Sequence, residues 1–186
     1  MADALILVRH PPVTLAWQKR CYGQSDPALS RAGQAMIAPL VDRLAAMAPD
    51  AIIHSDMKRT RAIAEPLGKR LGIVPLAEPL WRERDFGTWE GQRWNAIYRA
   101  TGDAMNGMVD APETFRPGGS GETTQQLLDR IGAALAAAKR RGRVVIITHG
   151  GPIACALARQ MTDKIASLPD LVPPTASVTV LLAAPR

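Results

Sequence analysis

Little in this chain would mark a secreted, metal-bound or membrane-embedded protein. It has two cysteines, Cys21 and Cys155, set far apart. That excludes a disulfide framework or a cysteine metal cluster and leaves two expected free thiols. No apolar run approaches the length of a membrane span. The first apolar run is too short for a signal peptide and has no basic segment before it, so the expected compartment is the cytoplasm. Aromatics are scarce: Trp17 and Tyr22, then Trp81, Phe86, Trp89, Trp94, Tyr98 and Phe115. The core must therefore be aliphatic. The clustered rings either line a pocket or pack irregular loops onto the domain, and both readings stand at this point. The 23 Lys and Arg against 17 Asp and Glu leave a net charge of +6. With no dense basic run interleaved with aromatics, this balance favours small anionic substrates over nucleic acid or a membrane surface.

What the chain does have is a repeated device. Ala4-Leu5-Ile6-Leu7-Val8 runs into Arg9-His10 and stops at Pro11-Pro12, the pattern of a buried strand that carries two cationic side chains at its carboxyl end. Val144-Val145-Ile146-Ile147-Thr148 runs into His149 and then into Gly150-Gly151. In open α/β sheets ligands bind beyond the carboxyl ends of strands, so His10 and His149 are expected to meet there. At 186 residues the chain suits a single domain.

Between these strands, residues 11–29 form a long loop, and long loops in compact domains are usually functional. Ser30 caps an expected helix of about 17 residues. Further strands are expected at Ala51–Ser55, at Ile73–Leu76 and at Ser177–Leu182, and further helices from Asp56 to Gly72, Gln92 to Ala100, Thr123 to Arg140 and Pro152 to Met161. Residues from about 85 to 120 form a looser insertion, expected to lie over the pocket. Strands alternating with helices imply an α/β fold, a three-layer α/β/α sandwich around a mostly parallel sheet.

Taken singly, each polar residue has an ordinary role: Arg9 as an ion-pair partner, His10 as a hydrogen-bonded strand-end residue, His54 as a packed or hydrogen-bonded neighbour of the second strand. Taken together they describe phosphoryl chemistry. A neutral imidazole can attack phosphorus, and guanidinium groups match phosphate oxygens and neutralise their charge. Arg59 begins the helix after the second strand, which places it at the same edge.

Leu-Val-Arg-His at 7–10, Asp-Pro-Ala-Leu-Ser-Arg-Ala-Gly at 26–33, Ser-Asp-Met-Lys-Arg-Thr-Arg-Ala at 55–62, Arg-Glu-Arg-Asp-Phe-Gly-Thr-Trp-Glu-Gly at 82–91 and Thr-His-Gly-Gly at 148–151 stand in this order. Over nearly the whole chain the sequence resembles the histidine phosphatase superfamily, the phosphoglycerate mutase-like proteins. The resemblance implies that His10 is the nucleophile that becomes phosphohistidine, that Arg9, Arg59 and His149 bind the phosphoryl group, and that Glu83 is the proton donor. It further implies substrate contacts from Gly150, Tyr22 and Gly23. No metal or cofactor is implied, and the partner is a small phosphorylated metabolite. A glutamate acid works best partly protonated, so Arg82 and Arg84 are expected to face away from Glu83. Asp85 and Glu90 are competing acids, of which Glu90 reads as structural.

The sequence departs from the family pattern just after the nucleophile. Pro11, Pro12-Val13 and Ala16 stand where the family usually has Gly, Glu-Thr and a phosphate-holding Asn; the expectation is that either Gln18, Lys19, Arg20 or Ser25 takes over the role of that Asn or phosphate binding is weaker. The Cys21-Tyr22-Gly23-Gln24-Ser25-Asp26 stretch resembles the α-ribazole phosphatase branch, which acts in cobalamin biosynthesis. The alternatives are mutase-like phosphoryl transfer and a catalytically silent phosphate-ester binding protein.

Overall fold

The computed structural model describes residues 4–161 and 165–182. The chain begins with β1 (Ala4–Arg9). After the loop come two helices, α1 (Arg31–Ala35) and α2 (Ile37–Ala46), where the periodicity predicts one. Pro39 explains the break: it has no N–H to offer the carbonyl of Ala35, and its ring crowds that carbonyl. Next are β2 (Ala51–His54) and α3 (Lys58–Leu71), which ends on Gly72 in the left-handed conformation at φ 68°. The edge strand β3 is only Leu76–Ala77, later than the expected Ile73–Leu76. The Ile73 N–H turns back to the carbonyl of Gly68, and Pro75 cannot donate to a ladder.

An excursion of 3₁₀ turns follows, carrying α4 (Trp94–Thr101) and α5 (Gly107–Asp110). The chain returns through α6 (Thr124–Ala138), which starts on a Thr123–Gln126 capping box. Then come β4 (Val144–Thr148), α7 (Gly150–Ala158), which stops short of the expected Met161, and β5 (Val178–Leu182).

The sheet order is β3-β2-β4-β1-β5, parallel except for β5, which runs antiparallel to β1. Alternation of side chains along the strands divides the core in two. Ile6, Val8, Ile52, Val145 and Ile147 pack under Leu40, Val41 and Leu44 of α2 and Ile63 and Leu67 of α3. Leu5, Leu7, Ile53, Val144 and Ile146 pack under Leu127, Ile131 and Leu135 of α6 and Ile153 of α7. The result is the three-layer α/β/α sandwich with a mostly parallel sheet. The chain leaving β1 covers one face and the chain leaving β4 the other, which opens a crevice between their carboxyl ends.

The excursion has a small core of its own. Cys21, Trp89 and Ile97 are buried there, with Phe86, Trp94, Met105, Met108 and Phe115 packed around them. No helix among the described residues is long and apolar enough to cross a membrane.

Candidate active site

The register places Arg9 opposite Thr148, so the next residues, His10 and His149, leave the sheet side by side. Their ring centroids lie 5.1 Å apart, and both rings are buried. The hydrogen bonds decide each tautomer. The His10 Nδ1–H donates to the Pro11 carbonyl at 2.7 Å; a carbonyl can only accept, so the Nε2 lone pair is free. Pro11 removes a backbone donor and supplies the acceptor that orients the imidazole. Burial lowers the His10 pKa to about 3, helped by the Arg59 and Arg9 charges and opposed by the Pro11 bond, so the ring is neutral at pH 7.

His149 has the opposite tautomer. Arg59 Nε, which can only donate, reaches its Nδ1 at 3.2 Å, and its Nε2–H donates to Ser55 Oγ at 2.7 Å. Ser55 passes the chain to Thr60 Oγ1 at 2.9 Å, which in turn faces the carbonyls of Ser55 and Met57. Burial and the Arg59 charge hold the His149 pKa well below the usual imidazole value.

Arg59 is fully buried, and most of its donors hold the loop. It donates to the carbonyls of Ser25 and Gly23, both at 2.7 Å, and its guanidinium carbon lies 5.2 Å from the Tyr22 ring centroid. Asp26, 3.6 Å from the same guanidinium, also accepts from the Lys58 N–H at 2.9 Å and so caps α3. Gly23 has no room for a side chain: a Cβ would lie 2.5 Å from the Arg84 carbonyl. The Tyr22 ring stands 6.3 Å from that of His10. Arg9 reaches the opposite side of the crevice, where it donates to the Pro173 carbonyl and lies against Gly150, while its buried Nε has no partner among the described residues.

Glu83 is delivered by the 3₁₀ turn Pro79–Trp81, whose Trp81 carbonyl accepts from Thr148 Oγ1 at 2.6 Å. Its two carboxyl oxygens accept from the N–H groups of Arg84 at 2.8 Å and Gly151 at 3.2 Å. Glu90 accepts from Gln24 N–H, Ser25 N–H and Ser25 Oγ at 2.8, 2.7 and 2.6 Å, tying the loop to the excursion, while Asp85 caps the Gly87 N–H at 2.8 Å. Arg82 faces away, paired with Asp56. Arg84 does not. It is buried and lines a cavity of about 490 Å³ together with Arg9, Glu83, Phe86, Trp94 and Gly150. The expectation that it faces away from Glu83 rests on a cation opposing protonation of the acid; the long apolar stem of Arg84 instead packs into an apolar wall.

Phe86 and Trp94 are the rings that line this cavity, whereas Trp81, Trp89 and Phe115 pack. Cys155 also lines it, and Cys21 is sealed in the excursion's core. His54 donates from Nδ1 to the Ser55 carbonyl at 2.5 Å. Of the residues expected to take over from the absent Asn, Gln18 donates to Val13, Arg20 to Ala16 and Gly91, and Ser25 to Glu90, while Lys19 is exposed. Ser55 and Gly151 are contributors whose only signal in the sequence was their place inside the quoted motifs, and Arg84 enters where it was expected to face away.

Residues 5–186 match the model of the histidine phosphatase superfamily (branch 1). The chain belongs to this superfamily. It is 29% identical over 153 residues to the probable phosphoglycerate mutase GpmB of Salmonella paratyphi C, an alignment covering 80% of this chain and 70% of that one. The mycobacterial glucosyl-3-phosphoglycerate phosphatase superposes with a TM-score of 0.81 at 28% identity, covering 96% of this chain and 89% of its own. The α-ribazole phosphatase of Shigella flexneri shares the fold at a TM-score of 0.80 and 18% identity, covering 95% of this chain and 89% of that one. Superfamily membership covers both phosphatase and mutase relatives.

Proposed function

We propose that the protein is a metal-independent phosphatase that hydrolyses a small phosphate monoester through a phosphohistidine on His10. The observation that carries this reading is the tautomer of His10: a neutral ring whose Nδ1–H is bound to Pro11 and whose Nε2 lone pair is free, near enough to the Arg59 and Arg9 charges for both to lower its pKa.

The Nε2 lone pair forms the N–P bond as the P–O bond to the leaving group breaks, and the alkoxide takes a proton from Glu83. A water then attacks the phosphohistidine, returns a proton to Glu83 and releases phosphate and neutral His10. The guanidinium groups of buried Arg59 and half-buried Arg9 neutralise the charge of the transferring group. Both Glu83 oxygens already accept backbone N–H bonds, so the proton it gives away is best supplied by a phosphate ester binding as its monoanion. In this reading His149 is a positioning and phosphoryl-binding residue, Tyr22, Gly23 and Gly150 shape the substrate site, and the partner is a small phosphorylated metabolite. α-Ribazole phosphate is one candidate, supported by the Cys21–Asp26 stretch and the apolar cavity.

Hydrolysis of p-nitrophenyl phosphate, α-ribazole phosphate and 3-phosphoglycerate by EDTA-treated protein tests the proposal. Turnover should survive EDTA and be lost in His10→Ala, and acid-labile, base-stable label should appear on the wild type. Failure of the folded wild type to turn over any ester would favour the silent binding protein instead.

A further inference from the structure

The crevice holds a neutral donor that the chemistry at His10 leaves without a task. The segment after the nucleophile brings few groups to a phosphoryl oxygen: Pro11 has no N–H and Ala16 no polar side chain. Gln18 and Ser25 are committed to Val13 and Glu90. Tyr22 remains. Its ring stands 6.3 Å from that of His10 and 5.2 Å from the guanidinium carbon of Arg59, and its phenol hydrogen-bonds with Arg9. One half-buried side chain thus reaches the nucleophile and both cations.

The bond to Arg9 fixes what the phenol can offer. A guanidinium only donates, so the Tyr22 oxygen accepts from Arg9, and its own O–H makes no hydrogen bond among the described residues. Burial raises the pKa of the phenol against the opposing pull of Arg9 and Arg59, so the proton stays on at pH 7. The backbone on either side is clamped. The Cys21 N–H donates to the Gln92 carbonyl at 2.9 Å, and the Cys21 carbonyl accepts from the Gly91 N–H at 2.7 Å. Gly23 has its carbonyl bound by Arg59 and no room for a Cβ. A donor held in this way needs no reorganisation when a charged oxygen arrives.

We infer that the Tyr22 phenol is a phosphoryl-binding donor: its O–H bonds an oxygen of the group transferred to His10, the same group whose charge Arg9 and Arg59 neutralise. This rests on the phosphatase reading and adds to it a neutral donor on the transferring group, distinct from Glu83, which serves the leaving oxygen.

Tyr22→Phe keeps the ring and removes the O–H. Its kcat/KM on p-nitrophenyl phosphate and on glycerol 3-phosphate should fall at least about tenfold, by the same factor for both because the phosphoryl group is common to them, and inorganic phosphate should inhibit it more weakly. An unchanged kcat/KM overturns the inference. So does a loss confined to one ester, or tighter inhibition by phosphate, which would make the phenol an obstruction. If Tyr22→Phe fails to fold, fluorine NMR of protein carrying 3-fluorotyrosine decides. Tyr22 and Tyr98 are the only tyrosines, so Tyr98→Phe assigns the two signals. Inorganic phosphate at an inhibiting concentration should shift the Tyr22 signal, and an unmoved signal overturns the inference. If the folded wild type turns over neither ester, the phosphatase reading has failed, and calorimetric titration with inorganic phosphate decides the role of the phenol: weaker binding to Tyr22→Phe than to wild type supports it, and equal or absent binding overturns it.

Discussion

At the scale of single residues, the site depends on close backbone approach as much as on charge. Gly151 shows this well. A Cβ there would lie 2.4 Å from Glu83 Oε1, and the clash falls on the far end of a flexible side chain. Gly151→Ala should therefore fold normally and displace the acid. An alkyl phosphate needs a proton on its leaving oxygen, whereas p-nitrophenolate leaves without one. Turnover of glycerol 3-phosphate should accordingly fall at least about tenfold further than that of p-nitrophenyl phosphate. Equal losses on both esters would detach Glu83 from leaving-group protonation. The pair of histidines shows the same economy of contact: two identical side chains 5.1 Å apart hold opposite tautomers because one meets a carbonyl and the other a guanidinium.

At the scale of elements, the loop of residues 22–26 has no regular structure and is held by two side chains from elsewhere. Arg59 binds its carbonyls from α3, and Glu90 binds its N–H groups from the excursion. Glu90→Ala removes a carboxylate that accepts from Gln24 N–H, Ser25 N–H and Ser25 Oγ. It should cost about 2–3 kcal/mol in urea denaturation and raise KM more than it lowers kcat. An unchanged KM would mean that the loop keeps its place without this anchor. The excursion was legible in the sequence only as an irregular stretch with clustered rings. Which rings pack and which line the cavity follows from its folding back over Cys21, a contact between distant segments that local periodicity does not encode.

At the scale of the whole molecule, the buried histidines make stability depend on pH. His10, His149 and His54 all have pKa values lowered chiefly by burial. Below about pH 6.5 the unfolded chain takes up protons that the folded chain refuses, so stability is highest above that pH and declines as pH falls, for His10 until about pH 3. Each ring that stays neutral contributes up to about 1.4 kcal/mol per pH unit well below pH 6.5, and about 1 kcal/mol between pH 6.5 and 5.5, or about 2 kcal/mol there for His10 and His149 together. Urea denaturation at pH 7.5, 6.5 and 5.5 measures this. A flat profile from 6.5 to 5.5 would mean that the two rings protonate in the folded state. Activity should not follow an ordinary imidazole titration in that window, since the nucleophile stays neutral.

By itself the sequence determined the sandwich and the meeting of Arg9, His10, Arg59 and His149 at one sheet edge. Those follow from local features: apolar runs that must be buried, prolines and glycines that end them, and the rule that places ligands beyond the carboxyl ends of parallel strands. Glu83 was legible only through the resemblance to the histidine phosphatase superfamily. Only the tertiary structure decided the break of the first helix into α1 and α2, the tautomers, the Ser55 relay and the inward turn of Arg84. Each of the last three depends on which donor or acceptor a distant segment brings within hydrogen-bonding distance, and no periodicity along the chain records that.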